Sequence, residues 1–125
     1  MNTPIPKTVL VVDDFAPVCE LVEALLCGVG YRVLKAVTGP EALRLARKDR
    51  IDLLVSNVAL PRMRGDELAD RFAEIHPSVP VVFLSSCDQP LKAAREREVL
   101  LKPFTMKQLR ETVSRALARH PGSRC

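Results

Sequence analysis

No apolar run in this 125-residue sequence reaches the roughly 18 residues that suggest a membrane span. The longest early stretch, Val9 to Val12, is cut by Asp13 and Asp14, and it is also shorter than the about 7–15 apolar residues of a signal-peptide core. A cytoplasmic protein is the expectation. The four cysteines, Cys19, Cys27, Cys87 and Cys125, form no C-x-x-C pair and have no accompanying histidine spacing of the zinc type. They read as reduced thiols, with Cys19 and Cys27 packing as small apolar residues on a helix. Cys87 has no histidine and orienting group near it in sequence, which argues against a thiol nucleophile. His76, before Pro77 in a turn, and His120, near the terminus, read as surface residues. There is no glycine-rich phosphate loop after the first apolar run, where the chain reads Asp-Asp-Phe-Ala-Pro, so a nucleotide- or flavin-binding reading is disfavoured. No helix-turn-helix or other nucleic-acid reader is recognised, and no repeat, linker or low-complexity segment interrupts the chain. No enzymatic activity is expected.

What is present is ordinary globular material: 47% hydrophobic and 27% charged residues with a net charge of +4. That balance excludes disorder and collagen-like repeats, and the length suits one domain with one core. The pattern alternates short apolar runs with longer periodic segments. Thr8–Val12 is continuous, apolar and β-branched, as in a strand buried on both faces of a parallel sheet. Val18, Leu21, Val22, Leu25 and Leu26 then form a helical stripe with Pro17 in the first turn, closed by Gly28 and Gly30. Residues 31–36 read as a second strand. Thr38 and Glu41 have capping-box spacing ahead of Ala42, Leu43, Leu45 and Ala46, and this helix ends in the charged 47–50 segment. A third strand is expected at 51–55, a loop at 61–65, a helix at 66–75 stopped by His76-Pro77, and a fourth strand at 81–84. Residues 89–98 read as a helix, 99–101 as a fifth strand, and 105–118 as a last helix striped by Leu109, Val113 and Leu117. Strands alternating with helices in this way argue for an open, doubly wound parallel α/β sheet with helices on both faces.

In such sheets ligands bind beyond the carboxyl ends of the strands. The polar residues there are Asp13 and Asp14 after the first strand, Asn57 after the third, Ser85 and Ser86 after the fourth, and Lys102 with Pro103 after the fifth. Carboxylates are hard ligands suited to Mg²⁺, a lysine supplies fixed positive charge, and a serine hydroxyl donates to an oxyanion. Together they would cradle a phosphoryl group.

At these positions the chain resembles the receiver domains of two-component response regulators. The resemblance rests on VLVVDD from Val9, GYRVLKAVTGPEAL from Gly30, IDLLVSNVALPRMRG from Ile51, VPVVFLSS from Val79 and LKPF from Leu101. It implies a flavodoxin-like five-stranded parallel sheet of order 2-1-3-4-5, with a core spanning about 7–119 and a short basic tail within a single receiver-like domain. It also implies that Asp14 ligates a metal directly and Asp13 through water. Ser85 takes the place of the conformational Ser/Thr, and Lys102 that of the phosphoryl-contacting lysine.

Two departures stand out. Where the family has the aspartate that accepts phosphate from a histidine kinase, this chain has Asn57. An amide offers no anionic oxygen for an acyl phosphate, and as a neutral third ligand it should weaken Mg²⁺ binding at Asp13, Asp14 and Asn57. Asp52 is about 16 Å upstream along a strand and Ser56 points to the opposite face, leaving Asp13 as the remaining substitute acceptor. Val99 stands at the switch position, where the family usually has Tyr or Phe; valine has a stiff χ1 and no ring to swing. The Ser85 to Lys102 interval is also short by about one helical turn, so a short or irregular helix is expected there, a compactness similar to receivers attached to hybrid sensor kinases.

The resemblance leaves two readings. In the first, this is a two-component phosphorelay module, a pseudo-receiver not phosphorylated at the usual site and acting by protein–protein interaction. In the second, it is a phosphorylation-competent receiver in which Asn57 is an introduced substitution or Asp13 is the acceptor. The expected partner is a sensor histidine kinase or other signalling protein with an acidic surface, facing Lys92, Arg95 and Arg97 on the 89–98 segment and Lys107, Arg110, Arg115 and Arg119 on or beyond the last helix. Neither a membrane nor a nucleic acid is the expected partner, and the oligomeric state is left open.

Overall fold

β-Branched and leucine side chains fill every position of the first strand, and the computed structural model, which describes residues 5–86 and 97–119, buries all of them. Five parallel strands, β1 (Thr8–Val12), β2 (Arg32–Ala36), β3 (Leu53–Asn57), β4 (Val81–Ser86) and β5 (Glu98–Lys102), form one sheet of order β2-β1-β3-β4-β5. The described helices are α1 (Ala16–Cys27), α2 (Gly39–Lys48), α3 (Gly65–Ile75) and α4 (Met106–Arg119). The flavodoxin-like order expected from the sequence is therefore the observed one. None of the described helices is long and apolar enough to cross a membrane.

Strand alternation splits the core into two layers. Leu10, Val12, Leu54 and Phe83 pack with Ala42, Leu68 and Phe72 from α2 and α3. Val9, Val11, Leu53, Val55 and Leu84 pack with Val22, Leu26, Leu109 and Val113 from α1 and α4. A period of two sends neighbours to opposite faces, and here both faces are covered, which is why the strands read as continuous apolar runs.

Several boundaries differ from the sequence expectation. β3 runs two residues later than 51–55, because the ladder pairs Val9 with Leu53 and Asn57 with Leu84. Backbone pairing thus carries the polar Ser56 and Asn57 inside the strand. Asp52 stays outside it as a clasp, its carboxylate accepting the Thr8 N–H at 2.8 Å, at the end of the sheet opposite Asn57. β2 starts at Arg32 rather than Tyr31, and α3 at Gly65. Glu98, expected to close a helix, instead opens β5, paired with Val82. Residues 89–96 of the expected helix, with Lys92 and Arg95, lie outside the described residues, as do Cys87, His120 and Cys125.

Two surface and packing assignments also change. Cys27 is exposed, whereas Cys19 is buried. His76 is half-buried and makes contacts that its sequence position did not suggest: its Nε2 lies 2.8 Å from the Ala46 carbonyl and its ring lies 5.2 Å from that of Phe72, tying the end of α3 to α2. The Thr38 cap is as expected, with its hydroxyl accepting the Glu41 N–H at 3.2 Å and Glu41 accepting the Val37 N–H at 2.9 Å. A second box opens α4, where Thr105 accepts the Gln108 N–H at 3.0 Å and Gln108 accepts that of Thr105 at 2.9 Å. The Thr105–Gln108 bonds are reciprocal, whereas at α2 the Glu41 carboxylate reaches back to Val37 and not to Thr38; both hydroxyls satisfy a donor that a helix start leaves open.

Candidate functional site

The register brings the polar strand ends to one edge. Val12 lies opposite Ser56, so Asp13 stands level with Asn57, and Ser86 lies opposite Lys102. In the alternation, Asn57 and Lys102 continue the face of Val55 and Leu100, which pack towards α1 and α4. Ser85 and Val99 fall in phase with Phe83 on the other face, and Phe83 pairs directly with Val99.

Asp13 is fully buried. Its Oδ2 accepts from Lys102 Nζ at 3.0 Å and its Oδ1 accepts the Phe15 N–H at 2.9 Å. Burial strengthens a paired charge and penalises an unpaired one, so these two donors hold the carboxylate in place. Behind it, the Cys19 thiol faces the carbonyl oxygens of Asp13 and Ala36 at 3.3 and 3.6 Å. Burial pushes the Cys19 thiol above its ordinary pKa, so it stays a neutral donor and not a nucleophile. Asp14, one residue on, is exposed.

Asn57 is buried at the end of β3. Its Nδ2 donates to Asp14 Oδ1 at 3.3 Å and to the Ala59 carbonyl at 3.0 Å. The neighbours fix this orientation: with the amide turned over, its oxygen would face two acceptors. The loop that follows is drawn in by Gly65, whose N–H donates to the Val58 carbonyl at 2.8 Å. A Cβ at Gly65 would collide with the Asn57 carbonyl oxygen, so the start of α3 can approach the strand end only as glycine. Arg62, in the same loop, has φ of 71°, a left-handed conformation uncommon for a residue with a side chain.

Ser85 is buried and its hydroxyl donates to the Ser86 carbonyl at 3.0 Å. Val99 is partly buried against the α2–α3 layer. The structure therefore brings Asp13 with Lys102 and Asp14 with Asn57 into two bonded pairs on consecutive residues of one strand end, with Ser85 and Val99 on the neighbouring strands. Sequence reading missed the Ala59 carbonyl, the Phe15 N–H and the Gly65 approach. The first two are backbone groups with no residue-type signal, while glycine after a Pro-containing loop was a legible hint.

As a cation site the group is short of oxygen. Among the described residues no three carboxylate, histidine or cysteine groups gather as a metal cluster. Asn57 presents hydrogens, not its oxygen, to Asp14, so the residues as arranged do not fit Mg²⁺, which takes oxygen ligands.

Of the expected partner surface, Arg97 is tied down, bonding Asp70 at 3.3 Å and lying 5.9 Å over the Phe83 ring. Arg115 and Arg119 both bond Glu98, at 3.2 and 2.8 Å. Lys107 and Arg110 are exposed and have no ion pair among the described residues, and the large apolar side chains of Leu101 and Met106 are exposed near them in sequence.

Comparison with known proteins places this geometry. A family model for the response regulator receiver domain matches residues 9–114. The chain is 36% identical to the transcriptional regulatory protein ZraR of Klebsiella oxytoca, over 88% of this chain but 26% of that protein. Among solved structures it is similar to the chemotaxis response regulator CheY4 of Vibrio cholerae, at 33% identity and a TM-score of 0.80, covering 90% of this chain and 99% of that one. It is also similar to the signal receiver domain of an HD domain-containing protein from Pseudomonas fluorescens, at 26% identity and a TM-score of 0.86, covering 94% and 99%. The chain thus spans about a quarter of the length of the first curated relatives it matches.

Proposed function

Because this chain belongs to the response regulator receiver domain family, we propose that it is a receiver whose usual phosphorylation position is silent and that it signals by binding a protein partner through a surface that phosphate does not control. The observation that carries this reading is Asn57 at the end of β3, with its amide hydrogens engaged by Asp14 and Ala59. A carboxamide cannot supply the anionic oxygen that an acyl phosphate requires.

Two neighbouring features support it. Val99, which pairs with Phe83, offers no ring to swing between positions, and the Ser85 hydroxyl is satisfied by the adjacent Ser86 carbonyl. Asp13 is a poor substitute acceptor, being fully buried with both oxygens engaged. The competing reading, a competent receiver with an introduced asparagine, makes the same pocket reactive once an aspartate stands at position 57.

The partner in this reading is a signalling protein with an acidic surface, a sensor histidine kinase among the candidates. Lys107 and Arg110 supply its long-range attraction, and the exposed Leu101 and Met106, near them in sequence, an apolar contact. ZraR is named for transcriptional regulation, a name that belongs to a protein of which this chain matches 26%.

The test is intact mass after incubation with Mg²⁺ and a small phosphodonor. The native chain is expected to keep its mass, with the Asn57→Asp variant run in parallel as the control for an otherwise intact pocket. A phosphate adduct on the native chain would overturn the proposal.

A further inference from the structure

Asp14 Oδ1 and the Ala59 carbonyl oxygen converge on a single atom, Asn57 Nδ2, at 3.3 and 3.0 Å. Two oxygens converging on one point, one of them anionic, is the arrangement that a hard cation produces. Here the point is an amide nitrogen, and its two hydrogens lie in one plane, one available to each oxygen. Next to it, Lys102 Nζ lies 3.0 Å from Asp13 Oδ2. Two carboxylates therefore meet one ammonium group and one amide, which among the described residues leaves a single uncompensated negative charge, at the exposed Asp14.

We propose that the Asn57 carboxamide stands in for a bridging cation, so that the strand-end pocket is assembled by the protein's own hydrogens and is organised without Mg²⁺. The proposal deepens the reading of a silent receiver and explains how the pocket keeps its shape. An aspartate at position 57 would put an oxygen where Nδ2 now sits, within reach of the Asp14 carboxylate and the Ala59 carbonyl. It would also add a second uncompensated charge at the same place. Repulsion among those three oxygens would then have to be relieved by a cation or by rearrangement of the loop. Asn57 is thus a positioning residue, acting through Asp14 and the residue 57–59 backbone.

The experiment contains no phosphodonor, so its outcome is separate from that of the phosphorylation test. Thermal unfolding of the native chain and of Asn57→Asp is compared in EDTA and in millimolar Mg²⁺. The native midpoint is expected to be the same in both, and the variant's midpoint to fall below it in EDTA and to recover with Mg²⁺. Rescue by the cation separates a cation-replacing amide from one that merely packs. A native midpoint that climbs with Mg²⁺ as the variant's does would overturn the proposal, and so would a variant equally stable in EDTA.

A second measurement uses only the native chain and stands even if the variant fails to fold. Mn²⁺ is titrated while the backbone amide signals are followed. Uniform, weak broadening is expected, whereas selective broadening at residues 13–15 and 57–59 would overturn the proposal.

Discussion

Lys102 and Asp13 form the most buried ion pair among the described residues. The carboxylate is fully buried while the lysine keeps partial access to water, its side chain 27% exposed. Removing the ammonium leaves a buried charge held only by the Phe15 N–H. Lys102→Met should therefore destabilise by about 2–3 kcal/mol, below the cost of breaking a wholly buried pair because one partner is solvated. Adding Asp13→Asn removes the stranded charge, so the double variant should be more stable than Lys102→Met alone. Urea unfolding of the three chains checks this, and equal stability of the single and double variants would contradict it. The residues of this group were legible because each is a polar type directly after an apolar run. Their bonding was not: nothing in the identity of Asn57 says that its nitrogen, rather than its oxygen, turns to Asp14. That choice depends on the Ala59 carbonyl, a backbone group brought there by a loop that only Gly65 permits.

β5 and α4 are joined by a small charge network that the hydrophobic pattern did not reveal. Glu98 accepts from Arg115 and Arg119, and the hydrogen bond from Arg115, followed by that from Arg119, holds its carboxyl below the ordinary glutamate range. A carboxyl lowered in the folded state stabilises above its unfolded pKa of about 4.3, and the contribution is lost as pH falls through the lowered folded value. Because both arginines are more than half exposed, the pair energies are screened, and Glu98→Gln should cost about 0.5–1 kcal/mol at neutral pH. Stability curves of the two chains should converge on acidification below the ordinary glutamate pKa; a gap that persists or widens at acid pH would contradict this assignment. In the sequence, Glu98 closes a charged periodic stretch and so reads as helix. Strand pairing with Val82 decides otherwise, an instance of tertiary context overriding local pattern. Where pattern and context agree, as in β1 or in the Thr38 cap of α2, the element was legible to within a residue.

At the scale of the whole molecule, alternation and right-handed crossovers narrow the topologies to a few, and it was the resemblance to receiver domains, not the pattern itself, that implied the order the sheet adopts. The net charge of +4 was not interpretable until the ion pairs were known. With Arg97, Arg115 and Arg119 engaged within the domain, Lys107 and Arg110 stand out on the described part of the expected surface. Reversing both, as Lys107→Glu with Arg110→Glu, should slow association with an acidic partner at least tenfold and flatten its salt dependence, since surface charges act mainly on the association rate. Partner binding that is insensitive to both salt and reversal would show that this face is not the docking surface.

A receiver silent at position 57, as proposed, has a pocket that a phosphodonor does not switch. This is tested most directly by the backbone amide spectrum of the native chain before and after addition of Mg²⁺ and a small phosphodonor. Signals from residues 57–59 at the pocket and from β5 at residues 98–102 are expected to stay where they are. Selective, phosphodonor-dependent shifts in both groups would show a working acceptor coupled to β5 and would contradict the proposal.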